Sequence, residues 1–262
     1  MPLIAVNNTQ LYYQRQVSSG KPVLVLSHSL FFDHSMFAPL AAELADAFDV
    51  ISYDHRGQGK SDRAGPVDMD TLADDAAALI TALEVAPCYF AGNSMGGFVA
   101  LRLAARHPEL LAGCIVMGSS ADLEHQLPTF EPLVESLSDQ GTQAHIDTLM
   151  HIMFGDRSLS DTGSSGLIAH WREYMLALDK DIGAAARAVI HRGSMLPELH
   201  ALQVPLLVLA GEQDHAYSIA DSEHIVKASG QGELHVVTAA GHSVALEQPQ
   251  QVARYIRQFA AR

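Results

Sequence analysis

Short apolar runs alternate with amphipathic stretches along most of this chain. Continuous apolar runs are typical of strands covered on both faces, and they occur at residues 23–28, 49–53, 87–90, 114–117, 206–209 and 234–237. Helical spacing separates them, at residues 36–47, 71–83, 95–106, 219–228 and 249–259. Residues 4–6 and 11–17 flank a polar Asn7-Asn8-Thr9 turn and predict an N-terminal hairpin. Strands alternating with helices predict an α/β fold with a parallel sheet between two layers of helices.

One segment breaks this alternation. Residues 122–200 contain no strand pattern, and helical spacing recurs there at residues 127–137, 143–154, 167–178 and 182–191. We therefore predict a helical cap at residues 122–200, inserted after the sixth strand and folded over the sheet. Residues 1–121 and 201–262 would then form the core domain.

Composition narrows the class of protein. The chain has 262 residues, of which 48% are hydrophobic and 18% charged, as in a globular domain with a large core. A formal net charge of −14 argues against a nucleic-acid or anionic membrane surface as partner. No signal peptide and no apolar run of ~18 residues is visible, so we expect a cytoplasmic protein with no membrane partner. Cys88 and Cys114 lie in apolar runs and are expected to be buried free thiols.

The chemistry centres on a Gly-x-Ser-x-Gly pattern that follows the apolar run at residues 87–90. Gly92 and Gly96 flank Ser94 there, and a helical pattern starts at Met95. This pattern places a serine on a sharp strand-to-helix turn, where glycine avoids steric conflict. The N-terminal amides of the helix would point at the group that the serine attacks.

A serine nucleophile needs a base, and the base needs an orienting acid, in the chain order Ser, Asp or Glu, His. Asp214 follows the strand pattern at 206–209, and His242 follows the one at 234–237. The sequence therefore predicts a triad of Ser94, His242 and Asp214. Asp122, after the sixth strand, is the rival acid, and His215, beside Asp214, is the rival base.

An oxyanion hole needs two backbone N–H groups. Met95 would supply one, and Leu30, in the loop after the strand at 23–28, the other, with Ser29 as second choice. No metal or cofactor site is predicted. The chain has no His-Glu-x-x-His motif, its two cysteines lack metal-ligand spacing, and Gly57-Gln58-Gly59 lacks the third glycine of a dinucleotide fingerprint.

Taken together, these motifs resemble the α/β-hydrolase superfamily over nearly the whole chain. The signature comprises the elbow at 92–97, the turn at 54–61, the acid loop at 211–214, and residues 241–249. The resemblance implies an eight-stranded, mostly parallel sheet flanked by helices, with a lid, and acyl transfer to Ser94 without a cofactor. The family usually has His-Gly after the third strand, whereas this chain has His28-Ser29. That loop looks most like the 3-oxoadipate enol-lactonase branch and its cofactor-free haloperoxidase and esterase relatives.

An enol-lactonase must bind a carboxylate, for which arginine is the usual partner. Four arginines of the predicted cap are available: Arg157, Arg172, Arg187 and Arg192. Of these, Arg172 and Arg192 are our candidates. Apolar pocket residues are expected among Phe130, Met150, Met153, Phe154 and Trp171.

The leading hypothesis is a serine hydrolase of a small-molecule ester or lactone, with an enol-lactone as the named substrate. A promiscuous carboxylesterase or an acyl-homoserine lactonase is the alternative among enzymes. A ligand-binding signalling receptor on the same fold is the alternative from another class. The oligomeric state, monomer or homodimer, stays open.

Overall fold

Eight strands form a single sheet, in a computed structural model that describes residues 2–161 and 166–262. The strands are β1 (Leu3–Val6), β2 (Thr9–Gln16), β3 (Val23–Ser27), β4 (Asp49–Tyr53), β5 (Cys88–Asn93), β6 (Leu111–Met117), β7 (Leu206–Gly211) and β8 (Glu233–Val237). Their order is β1-β2-β4-β3-β5-β6-β7-β8. The β1–β2 and β2–β4 pairs are antiparallel and all the others are parallel. The predicted fold class is confirmed.

Twelve α-helices connect and cover the strands within the described residues. They are α1 (Ala38–Leu44), α2 (Met69–Ala82), α3 (Met95–Arg106), α4 (Leu127–Gln140), α5 (Ile146–Met153), α6 (Asp156–Leu159), α7 (Leu167–Leu176), α8 (Ile182–Ile190), α9 (Leu196–Leu199), α10 (Ile219–Ser229), α11 (Val244–Glu247) and α12 (Pro249–Ala260). Short 3-10 helices occupy His34–Phe37, Pro108–Leu110 and Gln143–His145. No helix of the described part of the chain is long and apolar enough to cross a membrane.

Local chemistry explains the turns and corrects some boundaries. Asn7 and Asn8 both adopt positive φ, 42° and 58°, which asparagine tolerates in a tight hairpin. Helix α2 starts at Met69, two residues before the predicted start, because Asp68 caps it by accepting from the Thr71 backbone N–H at 2.8 Å. The helix predicted at 36–47 is a 3-10 turn followed by the shorter α1, whose first turn contains Pro39.

Between β6 and β7 the described residues form helices α4 to α9 and no strand. All four helical patterns predicted there correspond to helices, and α4 packs against α8. Positions 162–165 of the predicted cap, and Met1 of the predicted core domain, lie outside the described residues.

The two cysteines lie in the sheet interior, on the neighbouring strands β5 and β6. Both are free and buried. Burial raises the pKa of the Cys88 and Cys114 thiols to about 12, so both stay protonated at neutral pH. They are packing residues of the core, as expected from the apolar runs that contain them.

The first prediction concerns the close approach of β5 and α3. A Cβ added at Gly92 would lie 1.9 Å from the Gly96 carbonyl oxygen, whereas one added at Gly193 would meet nothing within 4 Å. We expect Gly92→Ala to lower the free energy of unfolding by about 3 kcal/mol or more, because backbone must move. Gly193→Ala is the matched control and should change it by less than about 0.5 kcal/mol. Equal unfolding free energies for the two variants in urea denaturation would contradict this packing.

Candidate active site

Ser94 lies at the junction of β5 and α3, in a backbone conformation that few serines adopt. Its φ is 54° and its ψ is −112°, a strained combination for a residue with a Cβ. Two hydrogen bonds hold this backbone: the Ser94 N–H donates to the Met117 carbonyl at 2.9 Å, and the Ser119 hydroxyl donates to the Ser94 carbonyl at 2.9 Å. The surrounding strands therefore maintain the sharp turn that the sequence pattern predicts.

The structure brings Ser94, His242 and Asp214 together. The Ser94 Oγ lies 2.7 Å from His242 Nε2, and His242 Nδ1 lies 3.0 Å from Asp214 Oδ2. The His242 and Asp214 side chains are 3% and 2% exposed, so water screens this pair weakly. With the carboxylate accepting at Nδ1, the proton of a neutral imidazole sits on Nδ1. The lone pair of Nε2 is then left to accept from the serine hydroxyl.

Asp214 is fixed by its own loop, which follows β7. Its Oδ1 accepts from the backbone N–H of Ala216 at 2.8 Å and of Tyr217 at 3.0 Å. These bonds orient the carboxylate toward His242 before any ligand arrives. Tyr217 also places its ring beside the imidazole, with centroids 5.5 Å apart.

The rival residues lie elsewhere. Asp122 accepts from the Leu123 N–H at 2.8 Å and lies 3.0 Å from His125 Nε2. His215 Nδ1 lies 2.7 Å from the His151 carbonyl and makes no hydrogen bond to Ser94 within the described residues. Of the candidate bases and acids in the sequence, His242 and Asp214 are therefore the two that form a chain of hydrogen bonds with Ser94.

Two polar residues for which the sequence predicted no role, the buried Asn93 and the half-buried Glu247, hold the loop that carries His242. The Asn93 side chain donates to the His242 carbonyl at 2.9 Å and accepts from the Ala245 N–H at 3.3 Å. Glu247 accepts from the Gly241 N–H at 3.0 Å. Burial raises the pKa of the Glu247 carboxyl, although its hydrogen bonds oppose that effect. In the sequence, the available signal was the amide side chain of Asn93 directly before Ser94, because an ordinary turn needs no amide at that position.

His28 fixes the peptide that carries the Leu30 N–H. Its Nε2 accepts from the His55 N–H at 3.0 Å, so Nδ1 holds the proton and donates to the Ser29 carbonyl at 2.8 Å. In a trans peptide the C=O and N–H point in opposite directions, so this bond also fixes the direction of the Leu30 N–H. Met95 opens α3, and the first N–H of a helix has no intrahelical acceptor.

His28 and His55 give the second prediction, on stability against pH. Both are buried, and burial lowers the pKa of His28 and lowers that of His55 well below its ordinary 6.5. Near pH 6.5 these two histidines bind protons in the unfolded chain but not in the native state. Above that pH these histidines do not lower the free energy of unfolding. Below it, the free energy of unfolding falls by at most about 1.4 kcal/mol per pH unit for each histidine. We expect the melting temperature to drop between about pH 7.5 and about pH 5. His55→Gln should reduce this drop in melting temperature, whereas the exposed control His224→Gln should not. Equal drops in the two variants would contradict the assignment to the buried histidines.

A family model described as "Alpha/beta hydrolase family" matches residues 24–255. The chain belongs to this family. Among curated proteins it is similar to 3-oxoadipate enol-lactonase 2 of Acinetobacter baylyi, with 28% identity over 94% of this chain and 91% of the relative.

Two solved structures extend the comparison. The enol-lactonase from Burkholderia xenovorans LB400 superposes with a TM-score of 0.90 at 28% identity, covering 100% of both chains. A thermophilic esterase from Thermogutta terrifontis gives a TM-score of 0.89 at 26% identity, covering 99% of this chain and 97% of the esterase.

This alpha/beta hydrolase has a narrow cavity of about 70 Å³ above Ser94 and His242. Its walls are almost entirely apolar side chains. The described residues that line it are Leu30, Phe31, Ser94, Glu124, Phe130, Leu133, Val134, Leu137, Leu149, Ile152, Met153, Ala186, Val189, Ile190, Ala216, Tyr217 and His242. Three of the helices that follow β6, namely α4, α5 and α8, supply most of these residues.

Two of the five aromatic and methionine candidates line this cavity, and three do not. Phe130 and Met153 line the cavity of the hydrolase, whereas Trp171, Phe154 and Met150 are not among its described lining residues. Trp171 and Phe154 instead pack on Phe32, with ring centroids at 4.7 Å and 6.0 Å. All three residues are buried.

The two candidate arginines are both engaged by acidic side chains. Arg172 lies 2.7 Å from Asp147 and is 41% exposed. Arg192 is buried, lies 3.2 Å from Glu124, and donates through Nε to the Asp122 carbonyl at 2.9 Å. Neither arginine is among the described residues that line the cavity.

Asp33, His34 and Asp54 form a buried cluster whose ligand-type atoms lie within 4.8 Å of one another. His34 donates to Asp54 Oδ1 through both its backbone N–H and Nδ1, at 2.7 Å each. The Lys60 N–H donates to Asp54 Oδ2 at 2.8 Å. Hydrogen bonds within the protein therefore account for this cluster, which joins the 54–61 turn to the loop after β3.

Proposed function

We propose that this alpha/beta hydrolase cleaves a small ester or lactone through an acyl-enzyme formed on Ser94. One observation carries the proposal. His242 lies in hydrogen-bond reach of both Ser94 Oγ, at 2.7 Å, and Asp214, at 3.0 Å, on the floor of an apolar cavity. The names of the similar proteins, two enol-lactonases and an esterase, support the same bond class.

In the first half-reaction the Ser94 oxygen attacks the substrate carbonyl carbon while His242 Nε2 takes its proton. Asp214 stabilises the imidazolium and holds it in position. The tetrahedral intermediate then collapses, and His242 gives the proton to the departing alcohol oxygen. For a lactone, that oxygen stays tethered to the acyl group.

The developing oxyanion needs donors, and the backbone N–H groups of Leu30 and Met95 fill this role in our proposal. Leu30 lines the cavity and Met95 opens the helix next to Ser94. Removal of one such donor typically costs about 10²- to 10³-fold in rate. Water then attacks the acyl carbon while His242 takes a proton from it. The second tetrahedral intermediate collapses when its bond to the Ser94 oxygen breaks, and His242 returns the proton to that oxygen as the acid leaves.

We also propose that residues 122–200 act as the lid. Helices α4, α5 and α8 supply most of the cavity lining. The lid therefore determines which acyl groups fit, whereas the sheet supplies the reacting groups.

The test is a panel of p-nitrophenyl and methyl esters and of simple lactones, assayed with the purified protein. We expect saturable hydrolysis of at least one ester or lactone without added metal or cofactor. Ligand binding without turnover would contradict the proposal and favour the signalling receptor. An enol-lactone is the substrate class suggested by the relatives, with simple carboxylic esters and acyl-homoserine lactones as alternatives.

A further inference from the structure

The lining of the cavity bears on which acyl groups Ser94 can accept. No lysine or arginine is among the described residues around it, and its one acidic residue is Glu124. The other lining groups with polar side chains are Ser94, His242 and Tyr217, and burial raises the pKa of Tyr217, which keeps the phenol neutral. The described lining residues thus present apolar surface and the acidic residue Glu124, with no lysine or arginine side chain.

The guanidinium of Arg192, which contacts the lining residues Glu124 and Tyr217, is already engaged by partners inside the protein. It pairs with Glu124 at 3.2 Å and donates to the carbonyls of Asp122 and Val189, each at 2.9 Å. It also lies over the rings of Phe98 and Tyr217, 4.4 Å and 5.4 Å from their centroids. The Arg192 and Glu124 side chains are 2% and 8% exposed. The charge of Arg192 is already balanced by Glu124, so a substrate carboxylate beside this buried pair would add a second negative charge with no cation to match it, which is unfavourable.

We infer that the cavity accepts a short, uncharged, apolar acyl group and rejects an acyl group that ends in a carboxylate. A carboxylate entering this space would lose its hydration, meet no lysine or arginine among the described lining residues, and approach the carboxylate of Glu124. The inference rests on the proposed function, since it concerns the acyl half of the substrate that Ser94 attacks. Enol-lactones that carry a carboxylate are therefore not the expected substrates of this chain.

Three methyl esters, followed by methanol release, test this charge selection. Methyl butanoate is short and apolar; methyl 4-oxopentanoate and monomethyl succinate share one heavy-atom shape and differ in charge. We expect kcat/KM to be at least ~10²-fold lower for monomethyl succinate than for methyl 4-oxopentanoate. Comparable values for these two would overturn the inference while leaving the proposed function intact. No hydrolysis of either neutral ester, nor of p-nitrophenyl acetate, would overturn the proposed function and with it this inference.

Glu124→Gln tests the source of the discrimination. This change leaves the charge of Arg192 uncompensated beside the cavity, so kcat/KM for monomethyl succinate relative to methyl 4-oxopentanoate should rise by ~10-fold. Arg172→Met is the matched control: it removes an exposed cation of the same helical segment and should leave that ratio unchanged. An unchanged ratio in folded Glu124→Gln would show that this ion pair is not the source of the charge discrimination. If that variant does not fold, the wild-type comparison still decides the inference.

Discussion

Ser94→Ala is expected to lower kcat/KM for a neutral ester by at least about 10⁴-fold. The hydroxyl that lies 2.7 Å from His242 Nε2 is the nucleophile in our proposal. Alanine has no side-chain oxygen that could form the acyl-enzyme. The measurement is steady-state hydrolysis of p-nitrophenyl acetate, compared with the buffer rate.

His242→Ala should cause a loss of similar size, and the double variant should be no worse than either single one. Members of a catalytic unit are not additive, because removing one already disables the others. A thermal melt of each variant shows whether the fold is kept. Activity within about 10-fold of wild type in folded Ser94→Ala would contradict the proposed mechanism.

Asp214→Asn is expected to reduce kcat by about 10³- to 10⁴-fold with little change in shape. The amide group keeps the size of the carboxylate but removes its charge, and it no longer favours the imidazole tautomer with the proton on Nδ1. In the structure Asp214 lies 3.0 Å from that nitrogen and is otherwise held by two backbone N–H groups.

Asp122→Asn is the matched control for this change. Asp122 was the rival acid in the sequence, yet it contacts His125 and the Leu123 N–H rather than His242. We expect its kcat to stay within about 3-fold of wild type. Full activity in Asp214→Asn together with loss in Asp122→Asn would show that the other carboxylate serves the histidine.

The sheet and its reacting groups could be predicted because each depends on a local pattern. Apolar runs predict strands, and the reacting side chains follow strands β5 and β7 and the last strand β8, so they meet at one edge of a parallel sheet. The sequence thus anticipates the meeting of Ser94, Asp214 and His242. Four-residue helices such as α6, α9 and α11 were not predicted, since a single helical turn has no periodicity to detect.

The lining of the cavity could not be predicted in the same way. Helical spacing predicts that Trp171 and Phe130 are on apolar faces, but not what each face contacts. Trp171 packs on Phe32 whereas Phe130 lines the cavity. Arg192 was a candidate carboxylate partner because its own partner, Glu124, lies 68 positions away in the chain.

The positioning residues were missed for a related reason. Asn93, His28 and Glu247 act through hydrogen bonds to the backbone of other residues. Asn93 bonds to a carbonyl 149 positions away in the chain, so its place beside Ser94 in the sequence does not reveal which loop it holds. The roles of their polar side chains can be interpreted only when the hydrogen-bond partners are known.

The most direct test of the nucleophile is covalent labelling with paraoxon, a neutral organophosphate ester, followed by intact and peptide mass spectrometry. We expect one diethylphosphoryl group per chain, on the peptide that contains Ser94. Labelling should be absent in Ser94→Ala and strongly slowed in His242→Ala, because Nε2 would no longer accept the serine proton. A label on another residue, or ester hydrolysis that continues after complete labelling of Ser94, would contradict the proposed acyl-enzyme mechanism.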